Sequence, residues 1–284
     1  MGHHYVPRKY LRGFAEPGNP DKIWMYDKKL CKFTNPAIKS IAQEAGFYSA
    51  EVERQLNELV EKPANRVLDK LRKKESIDDK GRIHLSIYIA TLFKRVPKGR
   101  ARALSLVPGV LDKTIAKVKI EIQEWARDAK DNELIARRIT ELERTELSLR
   151  KKTPDVINNQ IRLPWASEQL ITLVYSMSWR IAYSTGPDYF LTSDNPAYFF
   201  EEYGIGRPES ELTFPIATDL VLFASWQGRQ KSTSYIVVKQ KTVREANRRL
   251  ASGAERFIFY HMQEAWVAKV SDNPKPHLSK IQWK

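Results

Sequence analysis

The chain has 284 residues, one cysteine (Cys31) and a formal net charge of +14. That length can bury a substantial core, as one large domain or two smaller ones. The lone thiol excludes an internal disulfide and a zinc site built from several cysteines. Seven tryptophans and twelve tyrosines argue against disorder. No run approaches eighteen apolar residues, so no transmembrane helix and no membrane partner are expected. The start lacks the apolar stretch of a signal peptide, and single-cysteine usage suits a reducing cytoplasm. Residues 61–160 hold 24 Lys/Arg against 15 Asp/Glu, so most of the positive excess sits in one segment. Nucleic acid is the natural partner for such a surface. A set of solvated, basic helices accounts for the same charge equally well.

In chain order, residues 1–48 read as irregular with some strand. His3, His4, Arg8 and two tyrosines open the chain, and Val6, Pro7, Leu11 and Phe14 offer apolar anchors that can tie the segment down. Ile23–Tyr26 is a short β-compatible run, and Asn19-Pro20 and Asn35-Pro36 mark turns. Residues 49–152 read as mainly helical. Ser49 is an N-cap candidate, Val52, Leu56, Leu59 and Val60 begin a helical pattern, and Pro63 should kink or divide it. Asp78 and Asp79 start a second helix that ends at Val96-Pro97. Two long charged helices, about 110–129 and 133–151, could form an antiparallel hairpin. Residues 164–184 read as one more helix, apolar enough to be buried nearly all round.

After Gly186-Pro187 the pattern turns to strands: 189–192, 212–214, 220–223, 235–238, 256–260 and 265–268. One helix, about 243–252, interrupts them, and its Arg244, Arg248 and Arg249 could line one face. Helices followed by strands give an α+β class. The expected architecture is a helical section (49–184) packed on a mainly antiparallel sheet drawn mostly from the C-terminal third, in one compact unit. Its parts are an N-terminal motif segment (1–48), the basic helical region (49–184) and a β-rich region (185–284).

Several segments together carry a resemblance. His4-Tyr5-Val6-Pro7 with Tyr10-Leu11, and Thr192-Ser193-Asp194-Asn195-Pro196, resemble the His-Tyr-x-Pro-x-x-Tyr-Leu opening and the Thr-Ser-Asp-Asn-Pro box of a bacterial family known only as a domain of unknown function. Arg95-Val96-Pro97, Leu212-Thr213-Phe214-Pro215, and Asn247 through Arg256-Phe257 match in the same order. The resemblance spans most of the chain and implies no activity.

Imidazole serves as a general base near neutral pH or as a metal ligand. Neighbouring side chains of an extended segment point to opposite sides, so one of His3 and His4 faces any site. The family-like spacing favours His4. Asp194, in a turn after a strand, could orient that histidine, share a divalent metal with it, or accept a proton. It could equally make an Asx turn. His4 and Asp194 are thus the candidate catalytic pair and the candidate metal ligands, and they must approach each other to act. Arg8, Tyr10, Arg95 and Asn195 are the candidate substrate-binding residues. The two arginines would clamp phosphate, and Tyr10 would stack a base; a helix-end cation and a core ring are the structural alternatives for Arg95 and Tyr10. There is no Walker A pattern, no Gly-x-Gly-x-x-Gly, no Gly-x-Ser-x-Gly elbow and no His-Glu-x-x-His.

The leading expectation is a nucleic-acid-processing hydrolase of the nuclease type, with a divalent metal as its conceivable cofactor. A non-catalytic nucleic-acid-binding or effector protein is the first alternative, and a protein-interaction module the second.

Overall fold

The computed structural model describes residues 2–45, 49–129, 132–161, 165–227 and 234–277. Its elements begin with strand β1 (Gly2–His4), the short helix α1 (Arg8–Leu11) and a 3-10 turn at Arg12–Phe14. Strands β2 (Trp24–Asp27), β3 (Lys32–Thr34) and β4 (Gln43–Ala45) follow. Ser49 caps helix α2 (Ala50–Gln55) by accepting from the Val52 amide at 3.2 Å. A π-helical segment, Leu56–Glu61, then hands over to α3 (Lys62–Arg72), and Pro63 sits in the first turn of α3, where its missing N–H costs little. Asp78 caps α4 (Asp79–Arg95) through the Gly81 amide at 2.8 Å. The long helices α5 (Pro97–Ala129) and α6 (Asn132–Ile161) come next. Helix α7 (Glu168–Ser176) precedes strands β5 (Ser178–Tyr183), β6 (Thr192–Ser193), β7 (Tyr198–Phe199), β8 (Glu211–Ala217), β9 (Leu220–Ser225) and β10 (Ser234–Val237). Helix α8 (Gln240–Gly253), β11 (Phe257–Tyr260) and α9 (Trp266–Asp272) complete the order. The class is α+β, with the sheets concentrated in the C-terminal part.

Three differences from the sequence reading have physical causes. The apolar stretch 164–184 is not one helix: α7 ends where Met177 turns extended, and Ser178–Tyr183 is a strand. A short apolar run lacks the period that separates a buried strand from a helix. Only Val174 of α7 is buried, so that helix is amphipathic rather than enclosed. Residues 266–268, expected as strand, open α9, where Val267 packs with Tyr189 and Ile258 in one apolar cluster. Helix α5 begins at Pro97 and runs through Pro108, ahead of the expected start near residue 110.

Contacts group the chain into two units, Met1–Gly99 with Pro164–Lys284, and Arg100–Leu163. The helices of residues 50–95 belong to the unit that holds the sheets. That unit contains a five-stranded sheet, β10-β5-β9-β8-β7, parallel between β10 and β5 and antiparallel elsewhere. A four-stranded sheet, β3-β2-β11-β6, and a two-stranded one, β1-β4, are antiparallel throughout. Strands β8 and β9 are buried along their whole length. Their side chains alternate between two cores. Leu212, Phe214, Leu220 and Leu222 join Leu68, Leu71, Leu85 and Ile89 of α3 and α4 on one face, while Val221 and Phe223 join Val243 and Ala246 of α8 on the other.

Residues 100–163 form the second unit. Arg150 reaches Asp112 at 2.6 Å and Lys119 reaches Glu146 at 3.6 Å. Partner numbers rise on one helix as they fall on the other, so α5 and α6 run antiparallel. Ile115, on the facing side of α5, is buried. Many of the hairpin's cations are answered within a helical turn: Lys117 by Glu121, Arg137 by Glu133 and Arg138 by Glu141. Among the described residues no helix is long and apolar enough to cross a membrane.

Candidate functional site

The N-terminal segment is tied down at several points. Val6, Tyr10, Leu11 and Phe14 are fully buried. The Tyr10 hydroxyl lies 2.8 Å from Thr192 Oγ1 and donates to the Pro215 carbonyl at 2.9 Å. Pro215 explains why that carbonyl is open to a side chain. Proline has no N–H for the ladder, the β8–β9 register shifts between Pro215 and Ala217, and β7 pairs only with Leu212 and Thr213. The edge beyond is taken by the N-terminal segment. Arg72 donates to the carbonyls of Ile216 and Tyr10, and the Thr218 amide donates to the Gly13 carbonyl. Gly13 is required there, since a Cβ would stand 2.8 Å from the Ile216 carbonyl oxygen.

Asp194 closes the Thr-Ser-Asp-Asn-Pro box against β11. Its carboxylate accepts from the amides of Glu255 (2.9 Å), Arg256 (2.7 Å) and Phe257 (2.9 Å), and its own amide donates to the Phe257 carbonyl. Burial pushes the carboxyl above its ordinary range, against the pull of the three amides and of the Lys28 ammonium. Asn195 donates to the Gly253 carbonyl at 2.9 Å, and its buried Oδ1 has no partner among the described residues. Lys28 donates to the carbonyls of Ala251 and Ala254, capping the end of α8 with a cation. Arg256, beside the clamp, grips Asp27 with both Nε and Nη2.

His4 lies elsewhere in the charge map. Burial lowers its pKa, and the Arg8 guanidinium lowers it further, while the Lys39 and Ile38 backbone and the Glu61 carboxylate oppose the shift. Its Nε2 is enclosed without a hydrogen-bond partner among the described residues. Arg8 is exposed and makes no hydrogen bond or ion pair among the described residues. Glu61, delivered by the last turn of the π-helical segment, accepts from buried Arg95 at 2.9 Å, and Arg95 Nε donates to the Tyr5 carbonyl at 2.8 Å. Tyr88 is wholly buried, its hydroxyl has no partner among the described residues, and its pKa is raised by burial and then by the Glu61 charge. Single-turn π segments recur at functional sites, since the extra residue re-aims a side chain.

The predicted residues therefore fall into two groups. Arg95 binds Glu61, and the charges of Arg8 and Glu61 both act on His4; sequence reasoning missed Glu61, and Pro63, two residues on, was the only hint. Tyr10, Asp194 and Asn195 hold the scaffold, with Tyr10 in the core rather than at the surface. Tyr5 spans both groups: its amide neighbours His4 in sequence, and its hydroxyl pKa is raised by burial and by the Asp194 charge. Among the described residues no group of three or more His, Cys, Asp or Glu is arranged to hold a metal ion.

Motifs far apart in the chain thus meet in one unit. Residues 2–264 match the family described as "Protein of unknown function (DUF4238)". The chain belongs to this family. No curated protein and no solved structure matches it. The DUF4238 match takes in both groups of site residues and the hairpin between them.

Two outcomes follow for these residues. Asp194→Asn replaces one acceptor by a donor facing a backbone amide, so the unfolding free energy should fall by about 1–3 kcal/mol in urea titration; an unchanged midpoint would show that the amides do not need the anion. For His4 the folded pKa lies below the ordinary value of 6.5. Below about that pH the unfolded chain takes up a proton that the folded chain resists, so stability falls as pH drops through the window. Urea midpoints at about pH 7.5 and about pH 5.5 should differ less in His4→Gln than in the natural protein. Equal differences would contradict the burial of the ring.

Proposed function

We propose that this protein is a nucleic-acid-processing hydrolase that cuts the phosphodiester backbone at His4. The observation that supports this reading most is the enclosed Nε2 of His4, without a hydrogen-bond partner among the described residues, beside an exposed Arg8 that pairs with no acid among them. A lowered pKa keeps the imidazole neutral near pH 7, ready to accept a proton. Arg8 presents a planar fork suited to a phosphoryl group. In this reading a water oxygen bonds to phosphorus as His4 takes the water's proton. The bond to the leaving sugar oxygen breaks, and that oxygen regains a proton from His4 or solvent. The Glu61 charge favours the imidazolium, and Arg95 fixes Glu61. Asp194 spends its carboxylate on the amides of Glu255, Arg256 and Phe257, so its role in this reading is to hold the box in place. The basic surface of residues 61–160 would gather the polyanion.

A second reading, a protein-interaction module, is favoured by the large apolar side chains left open on the hairpin. Leu106, Val110 and Leu147 are 66%, 62% and 75% exposed. Leu106 and Val110 lie one turn apart on α5 and Leu147 lies on α6, so the hairpin offers apolar side chains to a partner.

The test is incubation of the full chain with labelled single-stranded RNA, single-stranded DNA and duplex DNA, with Mg²⁺, Mn²⁺ or EDTA. Cleavage is expected, reduced roughly hundredfold or more in His4→Ala and weakened in substrate affinity in Arg8→Ala, with both variants melting like the natural protein. Salt-sensitive binding without cleavage would replace hydrolysis by non-catalytic recognition. Neither binding nor cleavage would leave the hairpin and a protein partner as the better account.

A further inference from the structure

A cavity of about 300 Å³ opens between α8, α9 and the segment before β6. Two arginines of α8, Arg244 and Arg248, stand one helical turn apart on its wall. Both are exposed at the surface. Arg244 makes no hydrogen bond or ion pair among the described residues. Among the described residues the one acid paired with Arg248 is Glu245, at 3.7 Å. Glu245 is itself committed elsewhere: its other oxygen accepts from the His277 amide at 2.7 Å and lies 3.5 Å from Arg249. The cavity thus presents two guanidiniums with most of their donors unspent. Paired guanidiniums match the oxygens of a phosphate.

The opposite wall is aromatic. Trp266 is half-buried, its ring centroid 5.5 Å from that of buried Tyr189. Val243 and Val270 add apolar surface. A partly exposed indole held by a second ring is a platform for a flat aromatic group. Asp188 lines the cavity too, and its carboxylate makes no hydrogen bond among the described residues, leaving it able to accept from a hydroxyl or an amino group. Asn247 shapes the wall without being free to bind: its amide accepts from the Leu191 N–H and donates to the Tyr189 carbonyl. Those two bonds fix the segment 189–191 to α8 and hold the cavity's walls apart.

We propose that this cavity binds a nucleoside monophosphate, with the phosphate between Arg244 and Arg248, the base on Trp266, and a ribose hydroxyl or base amino group on Asp188. The volume is at the small end of ligand pockets, which suits a mononucleotide and not a dinucleotide. One negative residue against two positive ones leaves the lining cationic, as a phosphate monoester requires. None of these residues takes part in the hydrolysis proposed above, so either proposal can fail without the other.

The experiment is calorimetric titration of the full chain with each of the four common ribonucleoside monophosphates. Adenosine, ribose 5-phosphate and inorganic phosphate are titrated alongside as part-ligands. At least one monophosphate should bind, and the part-ligands should bind at least tenfold more weakly. Arg244→Glu should weaken that binding at least tenfold without moving the melting midpoint, since among the described residues the Arg244 side chain has no hydrogen bond or ion pair to lose. Trp266→Leu should weaken the monophosphate more than it weakens inorganic phosphate. Binding by none of the four would overturn the proposal. So would a monophosphate that binds no tighter than phosphate alone, or one that binds Arg244→Glu as it binds the natural chain.

Discussion

The hydroxyl of Tyr10 joins the two larger sheets of this protein. One of its contacts is Thr192 in β6, on the edge of the four-stranded sheet, and the other is the Pro215 carbonyl in β8 of the five-stranded sheet. Both contacts are buried, so each oxygen would otherwise be left without a partner at a cost of about 1–3 kcal/mol. The ring lies between Phe14 and Phe214, with centroids 5.5 and 5.4 Å away, which fixes the hydroxyl in direction. From this contact the rest follows. Thr192 in register with Phe259 sets Asp194 beside the amides of 255–257, and that clamp starts β11. Gly13 and Arg72 seat the same N-terminal segment on the open edge of β8, which brings Tyr5 and His4 to the side of Arg95 and Glu61.

Buried and half-buried cations do much of the remaining fastening. Arg72 and Arg82 spend their donors on backbone carbonyls, and Arg95 divides its own between Glu61 and the Tyr5 carbonyl. Arg249 is enclosed with Glu211 at 2.6 Å and donates to Thr213 and to the His277 carbonyl. A buried guanidinium stripped of one such partner leaves a charge without solvent, which is why these contacts specify the arrangement even where their net stabilisation is small. Arg8, Arg244 and Arg248 behave differently. They are exposed and carry spare donors, which separates arginines that hold the fold from those open to a ligand.

Much of the local structure was legible in the sequence. Ser49 and Asp78 announce their helices because a side-chain oxygen must answer the first amides, and Val96-Pro97 ends α4 because the residue before proline avoids the helical region. The motifs at 4–11, 95–97, 192–196 and 212–215 converge in space, yet their residue types did not say which face of each would be spent on the scaffold. Asp194 illustrates the point: the same side chain suits a catalytic turn or an Asx-like clamp, and only the positions of the 255–257 amides decide. Tyr10 shows the same ambiguity between a surface ring and a core ring. Residues 178–183 and 266–268 misled because short apolar runs are assigned by the neighbours they pack on, not by their own period. Glu61 was hidden because a π-helical segment leaves no compositional mark, whereas the shared face of Arg244 and Arg248 was readable from their four-residue spacing.

The central claim is that the N-terminal segment and both sheets are one cooperative structure joined at Tyr10. A double-mutant cycle on Tyr10→Phe and Thr192→Val, read by urea unfolding of the full chain, tests it most directly. Each single change should destabilise the fold, and the double change should cost less than the two together, with a coupling of about 0.5–1.5 kcal/mol. Strict additivity would show that the hydroxyl contact carries no energy and would contradict the account.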